Sequence, residues 1–224
     1  NGKVLRIDLT KQTYSVEHPD ELFYRTYGGG RGFVAYYLLH EVPAGADPLG
    51  PDNVLIFATG PTTGFAVSGS ARHSVGAKSP LTGGYGDAEA GGFWGHELKC
   101  AAWDAIIIKG QSPEPVYLSI RDDVVEFHMA EHIWGEETYE TGEQIREDLG
   151  DSKTHIAAIG PAGERLIRMA SIVHDCARLA GRTGMGAVMG SKNLKAVAVR
   201  GTGRVEAADG EQIKELAKFV ANNL

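Results

Sequence analysis

The sequence predicts an α+β fold of mixed or antiparallel sheets with a few helices. Strand-like apolar runs heavily outnumber helical patterns, and they mostly follow one another with no helix between, unlike the alternation of a doubly wound nucleotide fold. Glycine contributes 30 of the 224 residues, nearly twice the roughly 7% of average proteins, and it is gathered into a few stretches without a fixed period. Such stretches between apolar strands are ordered loops rather than collagen or flexible linker.

The first strand, residues 3–10, sets Val4, Leu5, Ile7 and Leu9 against Lys3, Arg6 and Asp8, and residues 13–17 alternate through Tyr14 and Val16. A helix at 32–41 follows the Gly28–Gly32 loop. Alternating or continuous apolar runs predict strands at 54–59, 66–78 and 105–110, and a helix is expected at 95–101. Strands at 116–121 and 124–129 are joined by Asp122-Asp123 as a tight hairpin. A helix at 138–149 opens on the solvated acidic group Glu136, Glu137 and Glu140, and strands follow at 154–159, 168–173 and 195–200. A last amphipathic helix, 209–222, is capped by Asp209. Pro113 to Pro115 marks a weak break, but the glycine segments on either side must meet, so residues 1–208 are taken as one domain and 209–224 as the start of a helical domain that follows.

Arg178 to Lys195 threads four glycines with two arginines and two lysines, which reads as an anion cradle. Gly184-Met185-Gly186 lacks the third glycine of a dinucleotide fingerprint, and Ser191 separates Gly190 from Lys192 where a P-loop needs them adjacent. Segments of the same character run from Arg72 to Lys99 and from Gly28 to Gly32. The net charge of −7 argues against a nucleic-acid surface. No apolar run is long enough to cross a bilayer and the first residues enter a strand, so a membrane role is not expected and the cytoplasm is the expected location. Two cysteines, Cys100 and Cys176, cannot supply four thiolates to an iron–sulfur cluster and are expected to be buried small apolar residues.

Together the segments resemble the N-terminal domain of the tungsten-containing aldehyde ferredoxin oxidoreductases. The resemblance covers nearly the whole chain: Gly2 to Thr10, Asp47-Pro48-Leu49 with Pro51-Asp52-Asn53, Gly60-Pro61-Thr62-Thr63-Gly64, Lys78 to Gly83, Ala90 to Gly95, Trp103 to Gly110, Ile159 to Glu164, and Gly186 to Ala196. Each tag is weak alone, but their order identifies the chain as a member of that family. The resemblance implies a tungsten bis-molybdopterin cofactor with a bridging Mg²⁺. It also implies a 4Fe-4S cluster on cysteines in further domains, ferredoxin and an aldehyde substrate as partners, and contacts with the protein's own C-terminal domains. A homo-oligomer stays open.

In this resemblance Arg72 and Arg178 match pterin-contacting arginines, and Glu89-Ala90-Gly91-Gly92 and Leu179-Ala180-Gly181-Arg182 match cofactor-binding loops. Glu89 and Leu179 match positions whose backbone carbonyls hold Mg²⁺. Glu89 departs from the asparagine of the best-known members, which leaves its side chain without an assigned role. No residue is assigned to catalysis, because acid–base groups are expected outside this chain. The metal is held by cofactor sulfurs, which suits a protein without a ligand cluster.

His73 and His96 are the histidines nearest the expected cradle; His40, His128, His132 and His155 read as structural or surface residues. Trp94 and Phe93 read as core packing. The expected function is the cofactor-binding part of an enzyme oxidising aldehydes to carboxylic acids, inactive by itself. The alternatives are the same domain in a related tungsten enzyme, such as an aromatic acyl-CoA reductase subunit, or a non-catalytic cofactor-binding scaffold.

Overall fold

The computed structural model describes residues 2–223. Its strands are β1 (Val4–Asp8), β2 (Thr13–Glu17), β3 (Leu55–Thr59), β4 (His73–Lys78), β5 (Tyr85–Ala90), β6 (Ala105–Lys109), β7 (Val116–Arg121), β8 (Val124–Met129), β9 (His155–Ala158), β10 (Ile172–His174), β11 (Arg178–Ala180) and β12 (Leu194–Arg200). The helices are α1 (Glu21–Tyr27), α2 (Arg31–Glu41), α3 (Trp94–Cys100), α4 (Thr138–Leu149), α5 (Pro161–Glu164), α6 (Met185–Ser191) and α7 (Gly210–Asn223).

The strands form two six-stranded sheets, ordered β2-β1-β6-β3-β4-β5 and β8-β7-β12-β9-β10-β11. Adding six to each strand number of the first sheet gives the second. Strand directions repeat as well. β1 is parallel to β6 as β7 is to β12, and every other pairing is antiparallel in both sheets. The fold is therefore an α+β duplication, and the Pro113–Pro115 break falls between its halves.

One core fills the space between the sheets, with Leu5, Phe57, Val75, Leu118, Ile172 and Val199 meeting Trp94 of α3 and Met185, Val188 and Met189 of α6. Both helices touch both sheets. The indole of Trp94 donates to the Val197 carbonyl at 3.0 Å. The outer face of the first sheet carries α1 and α2 through Phe23, Phe33, Val34 and Tyr37, and that of the second is covered through Ile133 and Ile145.

Several elements differ from the sequence reading. Residues 66–72 are not strand: the Ser70 hydroxyl donates to the Phe65 and Val67 carbonyls, and that of Thr63 to Arg72, so local side-chain bonds replace a ladder. The strand expected at 168–173 shortens and shifts to Ile172–His174. Helix α1, capped by the Asp20 carboxylate on the Phe23 amide at 2.8 Å, was not anticipated. The supposed glycine loops contain regular structure: β5 carries Glu89 and Ala90, β11 carries Arg178, Leu179 and Ala180, and α6 follows. Cys176 is exposed, in contrast to Cys100.

The α6 glycines serve packing. A Cβ on Gly190 would lie 2.0 Å from the Gly163 carbonyl oxygen, and one on Gly186 2.5 Å from that of Ser171. Gly190→Ala is expected to cost about 1–3 kcal/mol, because only backbone is available to move. The matched control is Gly210→Ala, whose Cβ meets nothing within 4 Å. Comparison of their urea midpoints checks this.

His73 and His174 are fully enclosed between the sheets, Nε2 to Nε2 at 3.0 Å. Burial holds His73 well below the ordinary histidine range and lowers His174 to about 4. A folded value below the unfolded 6.5 means that the unfolded chain takes up the proton first. Stability is then unaffected above about pH 6.5 and falls as pH drops toward 4, by on the order of 3 kcal/mol for His174. Unfolding free energies measured from pH 7 to 4.5 should show this slope. The His73→Gln/His174→Gln double variant should lose most of it.

Candidate cofactor cradle

The duplication puts two equivalent strand ends side by side. Ala90, last in β5, pairs with His73, first in β4; Ala180, last in β11, pairs with Ile172, first in β10. By this register Glu89-Ala90-Gly91-Gly92 in the first half corresponds to Leu179-Ala180-Gly181-Arg182 in the second. Both strands are sheet edges. They meet: a Cβ on Gly92 would stand 3.1 Å from Arg178 Cγ, and the Thr183 hydroxyl donates to the Asp87 carbonyl at 3.0 Å. The Ser79 hydroxyl closes the link by donating to the Thr183 carbonyl at 2.8 Å.

Arg72, Arg178, Leu179, Gly181 and Arg182 are exposed here, and Gly91 and Gly92 are half-buried. The two loop glycines differ. Gly91 has an ordinary φ and open space where its Cβ would be, whereas Gly92 sits at φ +88° against Arg178. Gly91 thus leaves backbone open to an approaching ligand, and Gly92 serves a left-handed turn.

Alternation along β5 buries Gly86, Ala88 and Ala90 and turns Asp87 and Glu89 outward. Their side chains meet Arg31 at the start of α2, whose Nε lies 2.6 Å from the Asp87 carboxylate and 3.2 Å from that of Glu89. The Glu89 carboxylate is therefore occupied by a counter-charge on the outer face. Its carbonyl is another matter. Alternate carbonyls of an antiparallel edge face the same way, and Asp87 accepts from Thr183 across the free edge, so the Glu89 carbonyl points off that edge too. Its counterpart Leu179 has an apolar side chain, which leaves the backbone as the only polar chemistry the two positions share.

The lysines of the 178–195 segment do not join the cradle. Lys192 is fully buried and donates to the carbonyls of Asn53 at 2.5 Å and Gly110 at 3.0 Å, and burial lowers its amine to about 8. Lys195, also buried, is paired with Glu164 and donates to the Glu136 carbonyl at 2.8 Å. Glycine and lysine composition suggested one continuous anion loop; the structure confines the exposed cations to Arg178 and Arg182. Trp94 is core, as expected, but Phe93 is 68% exposed. His96 faces Cys100 Sγ at 3.3 Å and not the cradle. Arg31 was not singled out from sequence, although the Gly28–Gly32 loop that presents it was.

A cavity of about 1000 Å³ adjoins Phe93 and is lined by Glu97, Arg146, Asp151, His155, Asp175 and Arg200. Its charges are mutually engaged: Arg200 with Glu97 at 2.6 Å and His155 with Asp175 at 2.8 Å. Among the described residues no cluster of His, Cys, Asp or Glu could hold a metal ion, and no helix is long and apolar enough to cross a membrane.

Comparison with known proteins agrees with this architecture. Residues 4–201 match the family model for the aldehyde ferredoxin oxidoreductase N-terminal domain. The tungsten-containing aldehyde ferredoxin oxidoreductase of Pyrococcus abyssi is 48% identical over 217 residues, 97% of this chain and 36% of that protein. The aliphatic sulfonate oxidoreductase WOR-like subunit of Pyrococcus furiosus is 38% identical over 97% of this chain and 37% of its own length. Among solved structures, the active-site complex BamBC of benzoyl coenzyme A reductase with 1,5 dienoyl-CoA superposes with a TM-score of 0.95 at 42% identity, covering 99% of this chain and 34% of that one. The chain spans about a third of the length of these relatives. By its sequence, its fold and its duplicated sheets, this chain belongs to the aldehyde ferredoxin oxidoreductase family and corresponds to that family's N-terminal domain.

Proposed function

We propose that this domain is the floor of a bis-molybdopterin tungsten site in an enzyme that oxidises aldehydes to carboxylic acids with ferredoxin as acceptor. The observation that carries it is the pair of equivalent strand ends, Glu89–Gly92 and Leu179–Arg182, brought together at one open edge. A cofactor with two like halves fits a cradle with two like halves. Exposed Arg72, Arg178 and Arg182 offer planar forks to pterin and phosphate oxygens, and the open side of Gly91 admits a flat ligand against backbone. The carbonyls of Glu89 and Leu179 are hard oxygen donors suited to a bridging Mg²⁺. The residues present fit the group.

When bound, the tungsten cofactor supplies the two-electron redox chemistry. This domain's own work is to bind and orient. Arginines hold the anionic ends, glycine backbone excludes water from the covered face, and Arg31 keeps the Glu89 carboxylate engaged away from the phosphates. Substrate, ferredoxin and a 4Fe-4S cluster are assigned to the remainder of the protein. A second reading, an aromatic acyl-CoA reductase subunit with the same cradle, is supported by the TM-score of 0.95 to the benzoyl-CoA reductase complex. Aldehyde-dependent against benzoyl-CoA-dependent viologen turnover by the intact protein separates the two.

Replacing Arg72 or Arg178 with Ala in the intact protein is expected to lower tungsten and pterin content, at about 1.5–3 kcal/mol per lost charge-assisted bond. Lysine should restore only part, since it lacks the fork. Metal analysis and pterin fluorescence on purified protein check this, and full occupancy in both Ala variants would refute the cradle.

The two glycines should behave differently. Gly91→Ala is expected to leave the stability of the cofactor-free form unchanged while reducing pterin content. Gly92→Ala, which puts a side chain at φ +88° and 3.1 Å from Arg178, should itself cost about 1 kcal/mol or more. Melting curves paired with pterin content distinguish them.

A further inference from the structure

His73 opens β4 directly after Arg72 and opposite Ala90, while His174 closes β10 opposite Arg178. The pair therefore joins the two halves of the duplication beneath both arginines of the cradle. Their rings meet edge to face with centroids 4.6 Å apart and Nε2 atoms at 3.0 Å. That distance is a hydrogen bond only if one Nε2 carries a proton and the other a lone pair, so the accepting ring is neutral, and two neutral rings make the bond when their tautomers are complementary. Burial keeps both rings neutral.

The surroundings are aromatic. Trp94 lies 5.0 Å from His73 and 5.5 Å from His174 between ring centroids, and Phe57 lies 6.5 Å from His174. Gly95 roofs the pair: a Cβ there would stand 2.8 Å from His73 Nδ1. Neither Nδ1 has a hydrogen bond of normal geometry, although the Arg178 backbone stands near enough to the His174 ring to favour its protonated form against the larger effect of burial. A buried polar pair left half-satisfied is a poor way to gain stability, and two apolar side chains of like shape would do at least as well. What the pair adds is direction. Apolar contact between sheets tolerates sliding, whereas an N–H···N bond fixes distance and angle.

We propose that the His73–His174 hydrogen bond is a positioning strut that fixes the separation of Arg72 and Arg178, and with it the spacing of the two halves of the cofactor cradle. The strut acts through the backbone: Arg72 is the next residue to His73, and Arg178 is the ladder partner of His174. The proposal rests on the cradle reading above, and its test is built to fail separately.

In the intact protein, His174→Leu alone strands the His73 Nε2 and should lower both the unfolding midpoint and the cofactor content. The His73→Leu/His174→Leu double variant removes both polar groups. It should regain most of the unfolding midpoint yet retain about tenfold less tungsten and pterin than wild type, equivalent to one misplaced charge-assisted bond. His174→Gln, which again offers a donor and an acceptor, should recover cofactor. A double Leu variant with full tungsten and pterin overturns the strut. Arg72→Ala and Arg178→Ala run in parallel: full occupancy there removes the cradle itself, while loss there beside retention in the double Leu variant removes only the strut. Should the double variant not fold, selectively ¹⁵N-histidine-labelled wild type decides. A trans-hydrogen-bond ¹⁵N–¹⁵N coupling between the two Nε2 atoms is expected, and its absence overturns the proposal.

Discussion

Helix α6 lies between two sheets and against α5 at separations that side chains would forbid, and the arrangement of the second half follows from that. A Cβ on Gly190 would come within 2.0 Å of the Gly163 carbonyl oxygen, and one on Gly184 within 2.1 Å of that of Arg168. Backbone against backbone leaves no room for adjustment, so α6 has one seat. From that seat Lys192 reaches into the first half and donates to the Asn53 and Gly110 carbonyls, and Thr183, just before the helix, ties β5 through Asp87. The meeting of the two edge strands thus depends on how closely a short helix can approach its neighbours, together with the His73–His174 contact between the same two halves.

The same glycines explain what was and was not legible in the sequence. Strands with continuous apolar runs, such as β3 and β6, declare themselves, because burial on both faces selects for apolar residues. The edge strands β5 and β11 do not. Tyr85–Ala90 carries two carboxylates and a glycine, and Arg178–Ala180 is three residues long, so neither shows a period that could outweigh its glycine-rich flanks. Composition suggested an anion loop across Arg178–Lys195, yet Gly186 and Gly190 are there for packing and the lysines for satisfying carbonyls. The duplication was hidden for a related reason. It lives in topology and direction, and the two halves keep few matching side chains beyond Ala90 and Ala180.

Electrostatics sharpen the local picture. With a net charge of −7 the chain as a whole does not attract anions, so any anion site depends on where its few cations are free. Lys192 and Lys195 are spent internally and Arg31 is held by Asp87 and Glu89. Arg72, Arg178 and Arg182 are exposed at the junction. Glu89, the one acidic residue in the matched loop, faces Arg31 on the other side of its strand, so it subtracts little from the field at that edge.

The cradle is symmetric in backbone and asymmetric in side chains. Glu89 corresponds to Leu179, and Gly92 to Arg182, while Arg72 and Arg178 stand at positions that the repeat does not relate to each other. Carbonyl and amide groups can therefore treat two like halves of a ligand alike, and the arginines can tell them apart. Under the proposed function, a pair of chemically equal pterins would be held in unequal surroundings. The two halves would then differ in hydrogen bonding and charge although their covalent structures are the same, and the source of that difference would be which strand end each one lies against.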